Sequence, residues 1–265
     1  MAFDPSKVSD FIIKWLDDYA ESSGVDAFVV GVSGGIDSAL TATLCARTKR
    51  PTFIVNMPIH QSESEVERSD ELIAKLIEDY LNVESLNVSL TDVYESLNSS
   101  LPSDSDQSDG LAMVNARARL RMTTLYAIAA FRNGLVVGTG NKVEDFGVGF
   151  YTKYGDGGVD ISPIADLMKS EVYLIAKHLG VPESIQIAAP TDGLWGDDRN
   201  DEDQIGASYP ELEIAMNQAK EFNSGIGSPS DLKGREAEVY QIYSKLNKAN
   251  QHKMTPIPVC IIPRG

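Results

Sequence analysis

The sequence predicts an α/β fold in which a doubly wound parallel sheet is flanked by helices. Short strand-like runs, apolar or alternating, occur at 27–32, 52–57, 84–90 and 135–138. Segments with apolar residues at helical spacing lie between them, which favours parallel strands joined by crossing helices. Right-handed crossovers bring the ends of the first and fourth strands to the same edge. We therefore expect a ligand at that edge of the sheet.

The elements follow in order from these patterns. The first is an amphipathic helix ending near Gly24, marked by Phe11, Ile12, Trp15, Leu16 and Tyr19. The second strand is stopped by Pro58. The helix after it is marked by Val66, Ile73, Leu76, Ile77 and Tyr80. A third strand, at 84–90, alternates as a strand with one buried face does.

The second half of the chain begins with a change in composition. Residues 96–109 are rich in Ser, Asp and Asn and are predicted to form a surface connection. A long helix is predicted from about 111 to 132, followed by the fourth strand at 135–138. Beyond Gly140 the pattern predicts glycine-rich turns, then helices, then a tail with three prolines.

Length and composition exclude some classes of function. The chain has 265 residues, 42% of them hydrophobic, which suits one large α/β domain or such a domain with a helical addition. A net charge of −16 argues against a non-specific nucleic-acid or membrane role and makes basic residues inside a pocket informative. No apolar stretch reaches the roughly 18 residues of a membrane helix. Cys45 and Cys260 lie far apart, so a reducing cytoplasm is expected.

The turn after the first strand, Ser33-Gly34-Gly35-Ile36-Asp37-Ser38, carries the strongest chemical signal. A strand, a small-residue turn and a helix point several backbone N–H groups at one anion, and the glycines let a phosphate approach closely. The turn has no Lys, so it is not the loop that holds a transferable triphosphate end. Asp37 can instead hold a Mg²⁺ that bridges phosphate oxygens. The alternative is a tight turn with no ligand.

Two further charged residues follow later strands. Glu144 lies just beyond the fourth strand, on the same predicted edge as Asp37, and two carboxylates there can hold Mg²⁺ in an oxygen shell completed by phosphates. An isolated Glu144 would more often be plain surface. Lys169 opens a helix, where its charge opposes the helix dipole. An anion would remove that cost, but a solvated Lys is the better interpretation of this fact alone.

Other charged residues leave several interpretations open. Arg117, Arg119 and Arg121 diverge around one helix, so at least one should face inward or toward a partner chain. The acidic run at 197–203 is either a solvated loop or a mobile lid.

Taken together, these motifs resemble the ammonia-dependent NAD synthetase family. The resemblance rests on 33–38, 115–122, 138–144 and 150–160, and continues through Lys169, 189–195 and His252-Lys253. It covers nearly the whole chain, so it implies one domain over 1–265. One departure is that the stretch between Glu144 and Lys153 is one residue longer than the usual form of the family.

The resemblance implies an adenine-nucleotide α-hydrolase-like sheet and a role for each site residue. The ATP-binding residues would be Gly31, Val32, Ser33, Gly34, Gly35, Ile36, Asp37, Ser38, Thr139, Lys169 and Thr191. The metal ligands would be Asp37 and Glu144, and these two with Lys169 would carry the chemistry. The residues binding deamido-NAD would be Arg119, Lys153, Asp160, His252 and Lys253. A homodimer is implied as well.

The implied reaction converts deamido-NAD, ATP and ammonia to NAD, AMP and pyrophosphate with the help of Mg²⁺. The chain leaves room for only one helix before the first strand, so free ammonia, not glutamine, is the expected nitrogen source. One alternative is another enzyme with the same loop, thiolating tRNA or amidating another carboxylate. A second is a nucleotide-binding regulatory module, which loss of Asp37 or Glu144 would have favoured.

Overall fold

The computed structural model describes residues 3–102, 110–189 and 200–263. Within them, four parallel strands form one sheet in the order β3-β2-β1-β4. The strands are β1 (Ala27–Val32), β2 (Thr52–Asn56), β3 (Val83–Asn87) and β4 (Gly134–Val136). β1 pairs with β2 on one side and with β4 on the other. This arrangement confirms the predicted parallel sheet and makes β1 and β4 neighbours.

Ten α-helices surround the sheet in the part of the chain that the structure describes. They are α1 (Pro5–Ser23), α2 (Ile36–Arg47), α3 (Glu63–Asp79), α4 (Thr91–Ser100), α5 (Leu111–Phe131), α6 (Lys169–His178), α7 (Glu183–Gln186), α8 (Asp201–Ile205), α9 (Tyr209–Asn223) and α10 (Gly234–Met254). A π-helix at Val143–Val148 and a 3-10 helix at Pro229–Asp231 complete the set. None of these helices is long and apolar enough to cross a membrane.

The two faces of the sheet are covered by different helices. Phe28 and Val30 of β1 belong to a buried cluster with residues of α1, α2 and α6. Ala27 and Val29 of the same strand belong to a second cluster, with residues of α4 and α5. Successive side chains of a strand point to opposite faces. The alternating burial therefore confirms a sheet wound with helices on both sides.

A third buried cluster lies beyond the sheet and supports the π-helix. Val143 and Val148 of that helix pack with Tyr209 and Leu212 of α9 and Val239 of α10. Hydrophobic burial holds the chain after β4 against the carboxyl-terminal helices.

The structure corrects three predicted boundaries, one of which is that β3 ends at Asn87 and not at 90. The surface connection predicted at 96–109 begins too early, because α4 extends to Ser100. Its Tyr94 is 3% exposed, so tertiary packing outweighs a composition that favours turns. The fourth strand is shorter than predicted and ends at Val136, while Val137 makes a single bridge to Ile161.

Candidate active site

The turn between β1 and α2 has the tight shape that its small residues predict. Gly34 has a φ of +80°, and a Cβ at that position would lie 2.7 Å from the carbonyl oxygen of Glu65. The Ser38 Oγ accepts from the backbone N–H of Ser33 at 3.2 Å and donates to the carbonyl of Gly35 at 3.0 Å. α3 packs against the turn, so Gly is required at position 34 for both conformation and space.

A cavity of about 250 Å³ opens at the carboxyl ends of β1 and β4. All eight residues of the predicted phosphate-binding segment, 31–38, line it. Thr139, Glu144 and Lys169 line it as well, so the structure brings most of the predicted ATP-binding set to one place. Thr191 lies outside the described residues.

Lys169 joins the two predicted metal-binding carboxylates. Its Nζ donates to Asp37 Oδ2 at 2.5 Å and to Glu144 Oε1 at 2.9 Å. The residue is 3% exposed, so the interpretation of Lys169 as a solvated side chain is wrong. Two carboxylates with one ammonium leave a formal charge of −1. Removing Lys169 from this buried cluster would leave both carboxylate charges uncompensated.

Asn141 ties the β4 side of this cluster to the β1 side. Its Nδ2 donates to Asp37 Oδ1 at 3.0 Å. Its Oδ1 accepts from the backbone N–H groups of Val143 and Glu144, at 3.0 and 3.2 Å. One amide therefore caps the start of the π-helix and orients the carboxylate after β1. Asn141 is fully buried, and sequence reasoning did not single it out.

Burial and the ion pairs shift the pKa values in this cluster in opposite directions. Burial raises the pKa of Asp37, although Lys169 and Asn141 oppose the shift. Burial acts the same way on Glu144, but Lys169 and Tyr209 outweigh it and lower its pKa. The two carboxylates raise the pKa of Lys169 despite its burial, so it remains an ammonium ion.

The donor set suits a hard cation bound together with phosphate. Asp37 and Glu144 supply carboxylate oxygens, which Mg²⁺ prefers, and Mg²⁺ in proteins usually keeps several water or phosphate ligands. Over the described ranges, no group of three or more His, Cys, Asp or Glu side chains is arranged to hold a metal ion. A metal at this edge would therefore complete its shell with oxygens of water or of a substrate.

Two further carboxylates, which sequence reasoning did not assign to the site, also line the cavity. The Asp145 carboxyl lies where a Cβ on Gly140 would be, with Oδ2 2.2 Å from that position. Burial and then the charge of Glu144 raise the pKa of Asp145 well above its usual range. Asp156 is exposed to the open cavity, but the protein that surrounds it displaces enough water to raise its pKa to about 6. Asp156 lies between Gly155 and Gly157, and this glycine-rich setting was the sequence signal that could have pointed to it.

The π-helix explains how Asp145 reaches this position. A π-turn contains one residue more than an α-turn, and such turns are frequent at functional sites. The π-helix runs from Val143 to Val148, so Asp145 lies in its first turn beside Glu144.

Four of the five residues predicted to bind the dinucleotide lie together near the carboxyl-terminal end of α10: Arg119, Lys153, His252 and Lys253. Lys153 Nζ donates to the carbonyl of His252 at 2.5 Å, and Arg119 Nη2 to that of Lys153 at 3.4 Å. Lys253 Nζ donates to the carbonyls of Gly149 and Tyr151, both at 2.8 Å. These cations thus contact backbone carbonyls.

Asp160, the fifth, has contacts of a different kind. Its Oδ2 accepts from the backbone N–H of Val136 at 2.8 Å, and its Oδ1 from the hydroxyl of Tyr126 at 3.1 Å. It therefore closes the end of β4 against α5. Of the three arginines on α5, Arg121 faces inward and donates to Met57 O and Gln61 Oε1, at 3.1 and 2.8 Å.

The acidic run at 197–203 is only partly described. Residues 197–199 lie outside the described ranges, while Asn200 caps α8 by accepting from the backbone N–H of Asp203 at 2.7 Å. Asp201 is 6% exposed. The described half of the run is therefore a helix with a buried acidic residue, and the suggestion of a lid stays a prediction.

Comparisons with known proteins agree with one another. A family model described as NAD synthase matches residues 8–257. An NH3-dependent NAD+ synthetase of Methanosarcina acetivorans is 36% identical over 260 residues, which cover 97% of this chain and 98% of that protein. The structure of an NMN synthetase from Francisella tularensis has a TM-score of 0.81 and 32% identity, and the match covers 100% of both chains. An NH3-dependent NAD synthetase from Campylobacter jejuni, in complex with the nitrate ion, has a TM-score of 0.77 and 27% identity, covering 98% of this chain and 100% of that one.

Proposed function

The chain belongs to the NAD synthase family, and we propose that the cavity beside Asp37, Glu144 and Lys169 is where it amidates deamido-NAD with ammonia. The chain is a ligase that joins an acid to ammonia through a carbon–nitrogen bond, with ATP as co-substrate. Its fold is adenine-nucleotide α-hydrolase-like. The observation that carries the assignment is the meeting of all three charged residues at one cavity edge, next to a phosphate-binding turn.

The reaction needs activation because a carboxylate is a poor acyl donor. An oxygen of the nicotinate carboxylate attacks the α-phosphorus of ATP, and the bond to the bridging oxygen breaks to release pyrophosphate. Ammonia then attacks the activated carbonyl, loses a proton, and AMP leaves with the bonding electrons. Both reactants of the first step are anions, so the site must supply positive charge where they meet.

The described residues match this requirement in three ways. The turn at 33–38 offers backbone N–H groups to the phosphates, and Lys169 offers a buried ammonium. Asp37 and Glu144 would hold Mg²⁺, which when bound would neutralise the phosphates. Asn141 orients the Asp37 carboxylate and accepts from the backbone N–H of Glu144.

The dinucleotide would be held by Arg119, Lys153, His252 and Lys253, together with Asp160 at the end of β4. The cations of this group donate to backbone carbonyls, so their charge is available to the substrate phosphates.

A homodimer would complete this binding region. Leu111 and Phe131, at the two ends of α5, are 64% and 86% exposed, which gives that helix apolar surface for a second copy. Light scattering at working concentration tests this assembly, and a monomer would contradict it.

Product analysis tests the proposed reaction. Purified protein with ATP and Mg²⁺ should release AMP and pyrophosphate only when deamido-NAD is added. NAD should form from ammonium chloride and not from ammonia-free glutamine. Because neutral NH₃ is the nucleophile, the rate at fixed total ammonium should rise with pH until another group titrates. Release of AMP and pyrophosphate without deamido-NAD would contradict the assignment.

Nicotinate mononucleotide is a second candidate substrate. The similarity to the Francisella protein, which is an NMN synthetase, favours testing it. The same assay with the mononucleotide in place of the dinucleotide separates the two. We expect a higher kcat/KM for deamido-NAD, because Arg119, Lys153 and Lys253 would contact phosphate oxygens that the mononucleotide lacks. A higher value for the mononucleotide would reassign the substrate.

A further inference from the structure

Tyr209 is a buried tyrosine whose hydroxyl reaches the centre of the site. It is the first residue of α9 and 3% exposed, packed in the cluster that supports the π-helix. Its hydroxyl donates to Glu144 Oε1 at 2.6 Å. Its ring lies against Lys169, with Nζ 4.7 Å from the ring centroid. One side chain thus touches two of the three charged residues at the cavity edge.

Glu144 depends on this contact for its orientation. Its Oε1 accepts both the Tyr209 hydroxyl and the Lys169 ammonium, at 2.6 and 2.9 Å. Two donors on one oxygen fix the rotation of the carboxylate, and hydrogen bonds to a charged acceptor are among the stronger ones. With Oε1 held from two sides, the carboxylate plane cannot turn without breaking a short bond.

Tyr209 also contacts two acidic residues of α8. Its hydroxyl lies 3.2 Å from Asp201 Oδ2, and the Tyr209 backbone N–H donates to Glu202 Oε1 at 2.9 Å. A phenol has one proton, so it can donate to only one of the two carboxylates at a time. The shorter distance shows that the proton serves Glu144.

We propose that Tyr209 is a positioning residue of the ligase reaction, whose hydroxyl fixes Glu144 against Lys169 while its backbone N–H holds Glu202 of α8. The inference rests on the proposed function of Glu144. It requires no contact between Tyr209 and the substrates. Its consequence is that removing the hydroxyl lowers the rate of adenylation without weakening substrate binding.

Tyr209→Phe tests the proposal because it keeps the ring, its packing and its contact with Lys169. We expect kcat for pyrophosphate release to fall about tenfold, the scale of a lost hydrogen bond to a charged group, while KM for ATP and deamido-NAD stays within about twofold. Tyr240→Phe is the matched control, since Tyr240 packs against the same cluster on α10 and its ring contacts are with Phe222 and Tyr243.

A double-mutant cycle separates positioning from a general effect on folding. In a Glu144→Ala background, Tyr209→Phe should cause no further loss, because the residue through which it acts is gone. An equal loss in both backgrounds, a kcat equal to that of the Tyr240→Phe control, or a Tyr209→Phe protein that does not fold would each overturn the proposal. Wild-type protein inactive toward deamido-NAD would instead refute the proposed function.

Discussion

The two binding regions of this molecule balance their charges differently. At the cavity edge, Lys169 is paired directly with Asp37 and Glu144, and all three are largely buried. On the carboxyl-terminal side, Lys153 and Lys253 donate to backbone carbonyls. A carbonyl satisfies the hydrogen-bond donors of a cation without cancelling its charge. The first region is therefore internally assembled, while the second keeps positive charge for an anion brought by a ligand.

The largest expected effect comes from breaking the balance of the first region. Asp37→Asn or Glu144→Gln removes one negative charge at nearly constant size. We expect adenylation to fall at least about a hundredfold, the scale of losing a preorganised electrostatic group. The rate of pyrophosphate release in a single turnover measures the rate of adenylation. Asp18→Asn, in an exposed pair with Lys14, is the control. A near-normal rate in either variant would remove that residue from the reacting centre.

An intermediate effect is expected from the second region. Lys253→Met removes a charge that no carboxylate among the described residues pairs with directly. We expect KM for deamido-NAD to rise about tenfold, with kcat within about threefold, as for a lost charge-assisted contact. Steady-state kinetics measure both constants. Lys248→Met, exposed on the same helix, should leave both unchanged. If kcat falls while KM stays constant, Lys253 acts on the chemical step and the contrast between the regions fails.

The smallest effect concerns Asp156, which faces the cavity between the two regions. Its pKa is about 6 in the folded protein and 3.8 ordinarily, so above pH 6 the ionised carboxylate destabilises the fold. Below about pH 4 the group is protonated in both states and this cost disappears. After allowing for screening by water in the cavity, Asp156→Asn should raise the free energy of unfolding at pH 8 by about 1 kcal/mol.

Urea denaturation at pH 8 and pH 4 checks the sign of this effect. The gain should shrink toward pH 4, while Asp10→Asn, exposed on α1, should change stability little at either pH. A loss of stability at pH 8 would mean that the contact between the Asp156 carboxylate and the Thr152 N–H outweighs the cost of burial.

Local patterns in the sequence determined much of the fold and part of the site. The apolar run at 27–32, the turn at 33–38 and the helix after it occur as predicted, because each is encoded by neighbouring residues. Adjacent parallel strands then bring Asp37 and Glu144 to one edge, as strand order alone implies. The class of reaction followed from these residues together with the resemblance to a family.

Only the tertiary structure decided how the charges are paired and which residues support them. Lys169 and Asp37 are 132 residues apart, and no local rule distinguishes this Lys from a solvated one. Tyr209 carries no sequence signal, and Asn141 was assigned no role although it lies in the motif at 138–144, because both roles come from contacts between separate elements. Asp145 enters the cavity through the π-helix, and α4 forms where composition favours a turn. Burial selects among conformations that the local sequence leaves nearly equal in energy, so these features require the folded chain.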